Sequence, residues 1–351
     1  MSDSEQKGHE AEIEPDVQAL MDEFTHDLEH NPAIGCPITF NWSGNQDLAD
    51  YVGIKIRILG LVLRKARPES SFSALKGITF HHDYEQGLRD VSGSRTSDVA
   101  PTKEAGGLSV GMMLRVDGGA HLVMHECVAL ALASDDDAQT NWAEQIIRHE
   151  LFHVDDYAFK SALITKRTDA STYHGFDFFA APLAEALWDE FYANKYSYSQ
   201  SDDPRIFFDL LRDSVPSVRK EVIDAIIAYR SHRDLEVLLA FVRPKIKFVA
   251  QCFGYAAGVL AALGTSLEKH APDEYAMLQK YGLSDAWHQC FDAVCALDSL
   301  RPDWESVLEI KRLFPGCFAI FSGFGLHHQP YGEGAYVSVP FTAETTPALA
   351  K

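Results

Sequence analysis

Between residues 15 and 30 the apolar side chains stand at Val17, Leu20, Met21, Phe24 and Leu28, the spacing of one helix face. Residues 37–42 follow as a short β-like run. The mostly apolar stretch 47–65 reads as a helix, with a pair of strands as the alternative because several of its residues are β-branched. A strand at 77–81 (GITFH) feeds a short helix over 84–91, and 92–107, rich in Ser, Gly, Thr and Pro, is a loop. Two β-capable runs, 108–116 and 121–128, flank Asp117, Gly118 and Gly119, which predicts a hairpin. After the acidic loop 134–137, Trp142, Ile146, Ile147, Leu151, Phe152 and Val154 form the stripe of a helix over 141–159.

From 183 to 297 the pattern is predominantly helical, interrupted at Asp202-Asp203-Pro204, Pro216, Pro244, Gly264 and Pro272. The longest weakly polar run, 248–264, contains Gln251 and reads as a buried helix rather than a membrane span. Its Gly254 and Gly258 form GxxxG, which in a soluble helix marks close helix packing. A short strand is expected at 336–340. These elements predict an α+β fold: a small, mostly antiparallel sheet packed on the 141–159 helix, then a large helical subdomain. The expected divisions are an acidic tail over 1–14, a core over 15–200 and a mainly helical part over 201–351.

Charge and cysteine usage act by exclusion. Aspartate and glutamate number 51 against 31 lysines and arginines, a formal charge of -20. A surface of that sign repels phosphate, so neither nucleic acid nor an anionic membrane is an expected partner. Residues 1–14 hold no apolar core of the kind a secretory signal needs. The six cysteines form no CxxC pair, which fits reduced thiols in a cytoplasmic protein.

The chemistry concentrates in IIRHELFHVDDYAF, which contains HExxH: His149, Glu150 and His153. Positions i and i+4 share a helix face, so both imidazoles can reach one ion. Glu150 lies about 100° around from His149, beside the metal, where it can take a proton from bound water. A catalytic zinc needs a third protein ligand and an open position. The best source is the next strong helix, LAEALWDEFYANKYS.

With that helix, the sequence resembles the gluzincin-type metallopeptidases, more narrowly the minigluzincin and ImmA/IrrE-like group. Trp188, Glu190, Phe191, Ala193, Asn194 and Ser197 match the register of that family's second motif. The resemblance covers about residues 108–200. It implies a zincin-like fold, one Zn2+ ion, Glu190 as third ligand (with Glu185 as competitor) and Asn194 as partner of a zinc histidine. It also implies that an edge strand, either 111–116 or 121–124, aligns an extended peptide. Of Asp155 and Asp156, just past the motif, either one is a further candidate for holding a histidine proton, with a solvated acidic helix end as the alternative reading. Tyr157, Tyr173, His174 and Tyr192 are candidate donors to the oxyanion. The expected activity is zinc-dependent hydrolysis of peptide bonds with Glu150 as general base. A metal-binding regulatory or interaction protein that cleaves nothing is the alternative.

Overall fold

The computed structural model describes residues 25–93, 110–166, 173, 175–332 and 334–346. The expected tail, most of the first predicted helix and His174 lie outside them; residues 25–30 are helical. The chain is a mixed α/β protein with a small sheet and a large helical part.

Strand β1 (Ile38–Asn41) leads into helix α1 (Gln46–Ala66), which starts where the Asn45 side chain accepts from the Leu48 N–H. The helix returns the chain to β2 (Leu75–His81), and β1 and β2 pair in parallel. Helix α2 (Tyr84–Ser92) begins at an Asp83 cap and precedes the hairpin of β3 (Gly111–Val116) and β4 (Gly119–His125). Gly118 turns that hairpin at φ 73°, a conformation that favours glycine. The sheet order is β1-β2-β4-β3. β2 pairs with β4 in parallel, and only β3 with β4 is antiparallel.

The sheet is therefore mixed, which corrects the expectation of a mostly antiparallel one. The hairpin announces itself through a local turn, whereas a parallel pair needs a helical crossover and leaves no local mark. The alternative of two strands over 47–65 gives way to α1 because that segment is the crossover. The central strands are almost wholly buried. Ile78, Phe80, Leu122 and Met124 join the main core, while Val123 and Leu114 pack with Tyr84 and Leu88 of α2.

Helices α3 (Glu126–Leu132) and α4 (Asp137–Lys166) follow, and α4 carries the HExxH sequence. Next come α5 (Asp177–Ser197), α6 (Arg205–His232) and α7 (Leu235–Leu263). Two short helices, α8 (Leu267–His270) and α9 (Pro272–Lys280), lead to α10 (Ser284–Ser299) and α11 (Phe314–Gly323). The hairpin β5 (His327–Tyr331) and β6 (Gly334–Ser338) closes the described chain and overlaps the strand expected at 336–340.

One buried cluster runs from Ile34 to Val337, so the stretches before and after residue 200 share a core. Its central seam is α5 against α7. A Cβ added at Gly254 would sit 2.5 Å from the Leu187 carbonyl oxygen, and one at Gly258 2.5 Å from that of Phe191. The GxxxG pair thus brings α7 into backbone contact with α5. By length and composition α7 is apolar enough to cross a membrane, yet 67% of its apolar window is buried inside the fold.

Candidate metal centre

His149 and His153 stand one turn apart on the face of α4 turned toward α5. Their Nε2 atoms are 3.0 Å apart. Glu190 of α5 completes a triangle: its Oε2 lies 3.3 Å from Nε2 of His149 and 3.5 Å from Nε2 of His153. Three donors bound tetrahedrally at ~2.0–2.1 Å would lie roughly 3.3 Å from one another. The observed spacing therefore suits a single small divalent ion, and these three residues form a group able to hold one. Glu185 is exposed on α5 and lies beside Tyr173.

A second observation supports the fit. Glu190 Oε2 is buried and finds no hydrogen-bond partner among the described residues. A carboxylate oxygen left that way is costly unless a cation meets it. In the metal-free state the cation that meets it is a proton on His153. Burial opposes protonation of His153, but the Glu190 carboxylate overrides it and carries the pKa up to about 9. Burial would raise Glu190, yet the two histidines hold it well below the usual carboxylate range.

The orientation of His149 is fixed from behind. Asn194 donates its amide N–H to the Tyr255 carbonyl at 3.1 Å, which leaves its oxygen facing His149 Nδ1 at 2.7 Å. His149 must therefore carry its proton on Nδ1 and offer Nε2 as the ligand. The expected partnership between Asn194 and a histidine of the motif is present in the geometry.

Glu150 points toward the sheet. Its side chain lies against Gly111 at the start of β3, where an added Cβ would approach its Cγ to 3.2 Å and its Oε1 to 3.3 Å. The Met113 backbone N–H reaches its carboxylate, and burial pushes its pKa up despite the two nearby histidines. In the sheet order β3 is the outer strand, so of the two candidate edges it is 111–116 that borders Glu150.

Two ionic clusters lock α4 to its neighbours. At one end Arg148 donates to the Ser197 carbonyl at 2.9 Å and to Asp202 at 2.6 Å. At the other, Asp156 accepts from the Trp188 indole at 3.1 Å and pairs with Lys160 at 2.6 Å, and Lys160 also reaches Asp189. Asp155 accepts from the Ser71 N–H and the Tyr192 hydroxyl.

Two sequence expectations are corrected here. Asp156 is not placed as a histidine partner: one turn beyond His153, its neighbours on α5 are Trp188 and Asp189. Tyr192 is no oxyanion donor, because its buried hydroxyl is held by Asp155. The other candidate phenols are placed as follows. Tyr157 is half-buried under the Arg115 guanidinium, 5.8 Å from its ring centroid. Tyr173 sits beside Glu185 and Phe314.

The sequence reading missed the contribution of α7. Gln251 donates its side-chain N–H to Glu190 Oε1 at 3.2 Å. Tyr255 lies with its ring centroid 5.9 Å from that of His149. Burial and the charges of Glu190 and Glu150 push its phenol well above the ordinary value, so it stays a proton donor. The available signal was the GxxxG pair: Gln251 precedes Gly254 by three positions and Tyr255 follows it directly.

Comparison with protein-family models, curated proteins and solved structures found no match.

Proposed function

We propose that the protein is a zinc-dependent metallopeptidase of gluzincin type, with a zincin-like fold and one Zn2+ held by His149, His153 and Glu190. The observation that carries the reading is the triangle of donor atoms 3.0 to 3.5 Å apart, with Glu150 buried beside it. Two imidazoles and one carboxylate are a catalytic zinc donor set, which leaves a position for water or substrate.

Zinc, when bound, supplies Lewis acidity toward the carbonyl and lowers the pKa of water. The chain's own residues do the rest. Asn194 holds the His149 tautomer that exposes Nε2. The outer strand β3 offers its backbone edge to an extended peptide, bringing the scissile bond over Glu150. Glu150 takes the proton from the attacking water and delivers it to the leaving nitrogen. Burial raises its proton affinity, which suits a group that must both accept and return a proton.

The test uses purified, zinc-loaded protein on denatured casein and a fluorogenic peptide library. Cleavage by the parent and its loss in Glu150→Gln, with one zinc per chain in both, is the expected result. Equal cleavage by the two proteins would refute the mechanism. A parent that binds zinc and cleaves nothing would point instead to a metal-binding regulatory protein.

A further inference from the structure

The two oxygens of Glu190 have different surroundings. Oε2 faces both imidazoles and is otherwise unpartnered, whereas Oε1 accepts from Gln251. Gln251 sits on a helix that is apolar along most of its length, at the level where α7 touches Glu190. The same glycine that sets the approach, Gly254, would meet Glu190 Cβ at 2.9 Å if it carried a Cβ of its own. Gly258 stands in the same relation to Asn194, with its added Cβ 2.9 Å from Asn194 Cβ. Helix α7 therefore backs both Glu190 and Asn194 at backbone distance, and it brings two side chains to the carboxylate: the Tyr255 hydroxyl and Gln251, whose amide takes Oε1.

We infer that Gln251 is a positioning residue of the metal centre: it occupies Oε1 so that Glu190 presents Oε2 alone to the ion. A carboxylate free to rotate offers either oxygen or both, and it must lose that freedom when it binds. One hydrogen bond from a packed helix removes the freedom in advance, which is how partners of ligating groups raise metal affinity. The metal centre thereby depends on residues more than 50 positions beyond its last ligand. This inference rests on the metal-site reading above.

Gln251→Met tests it, because methionine keeps the length and fills the same space without a donor. Zinc affinity is measured by competition with a chromogenic chelator, and thermal unfolding is measured on the metal-free protein. The expected result is zinc binding weakened about 10- to 100-fold with a metal-free unfolding midpoint within a few degrees of the parent. Equal zinc affinity in parent and variant overturns the positioning role and leaves the metal site intact. So does a large loss of metal-free stability with unchanged affinity, which would make Gln251 a structural neighbour only. If the parent itself binds no zinc, the metal-site reading falls first and this inference with it.

Discussion

The apparent zinc affinity should climb steeply with pH up to about 9, because the metal-free site holds a proton that the ion must displace. His153 binds that proton with a pKa of about 9, against an ordinary 6.5. Burial alone would depress the value; the adjacent Glu190 carboxylate reverses it. The raised His153 and the lowered Glu190 are two sides of one ion pair and count once. Below pH 9 each unit costs a factor of ten in apparent affinity for one displaced proton. From pH 9 to pH 7 the loss is ~100-fold, roughly 3 kcal/mol. Calorimetry at pH 7 in buffers of different ionisation enthalpy should show about one proton released from this pair per zinc. Glu190→Gln supplies the control: without the carboxylate His153 returns toward 6.5, and the slope between pH 7 and 9 should flatten. The same pair affects the metal-free fold. Its stabilising contribution is fully present between about pH 4.5 and 6.5, is lost as pH rises through about 9, and also declines in acid as pH falls towards the depressed range of Glu190. A parent whose zinc affinity is flat from pH 7 to 9 would show that Glu190 and His153 do not share a proton, and the geometry of the triangle would then be wrong.

Three substitutions probe the surroundings of the site. Asn194→Ala removes the acceptor that fixes the His149 tautomer and should weaken zinc binding about 10- to 100-fold in chelator competition; unchanged affinity would mean that water replaces the amide at no cost. Tyr255→Phe, assayed at saturating zinc, should lower kcat on a peptide by about 100-fold, if the phenol beside Glu150 and Glu190 meets the developing oxyanion. A kcat equal to the parent's would take that role away from Tyr255. Gly258→Ala drives a methyl against the Phe191 carbonyl and should cost about 1–3 kcal/mol in urea unfolding, a loss that stays near zero if α7 can shift freely.

What the sequence made legible was local in space as well as in chain. The i, i+4 histidines need only a helix to face one ion, and the amphipathic stripe around them guarantees one. The hairpin was readable from Asp117-Gly118 because a tight turn dictates its own chemistry. Glu190 and Asn194 are separated by four positions on a second helix, so a single register placed both. Asp156 fails for an instructive reason. It follows the same i, i+7 spacing from His149 that keeps it on the α5 side of α4, but what a side chain meets there is decided by the facing helix. Trp188 and the Lys160–Asp189 pair stand opposite it, and no pattern within 141–159 encodes them. The parallel pairing of β2 with β1 and β4 was hidden likewise, since both partners arrive through crossovers.

Helix α7 shows where the limit lies. Its glycine pair did announce a close approach, but an approach has a partner, and GxxxG names none. Only the fold brings Gly254 onto Leu187 and Gly258 onto Phe191, and that choice puts Gln251 on Glu190 and Tyr255 beside His149. Gln251 interrupts the apolar run 248–264, but nothing within that run says which polar group it meets. Without α7 against α5, Glu190 would lose both the Gln251 hydrogen bond and the helix that covers it. The glycines, the amide and the position of Oε2 thus depend on one another, and the candidate ligand at position 190 is backed by a helix that begins 45 residues after it.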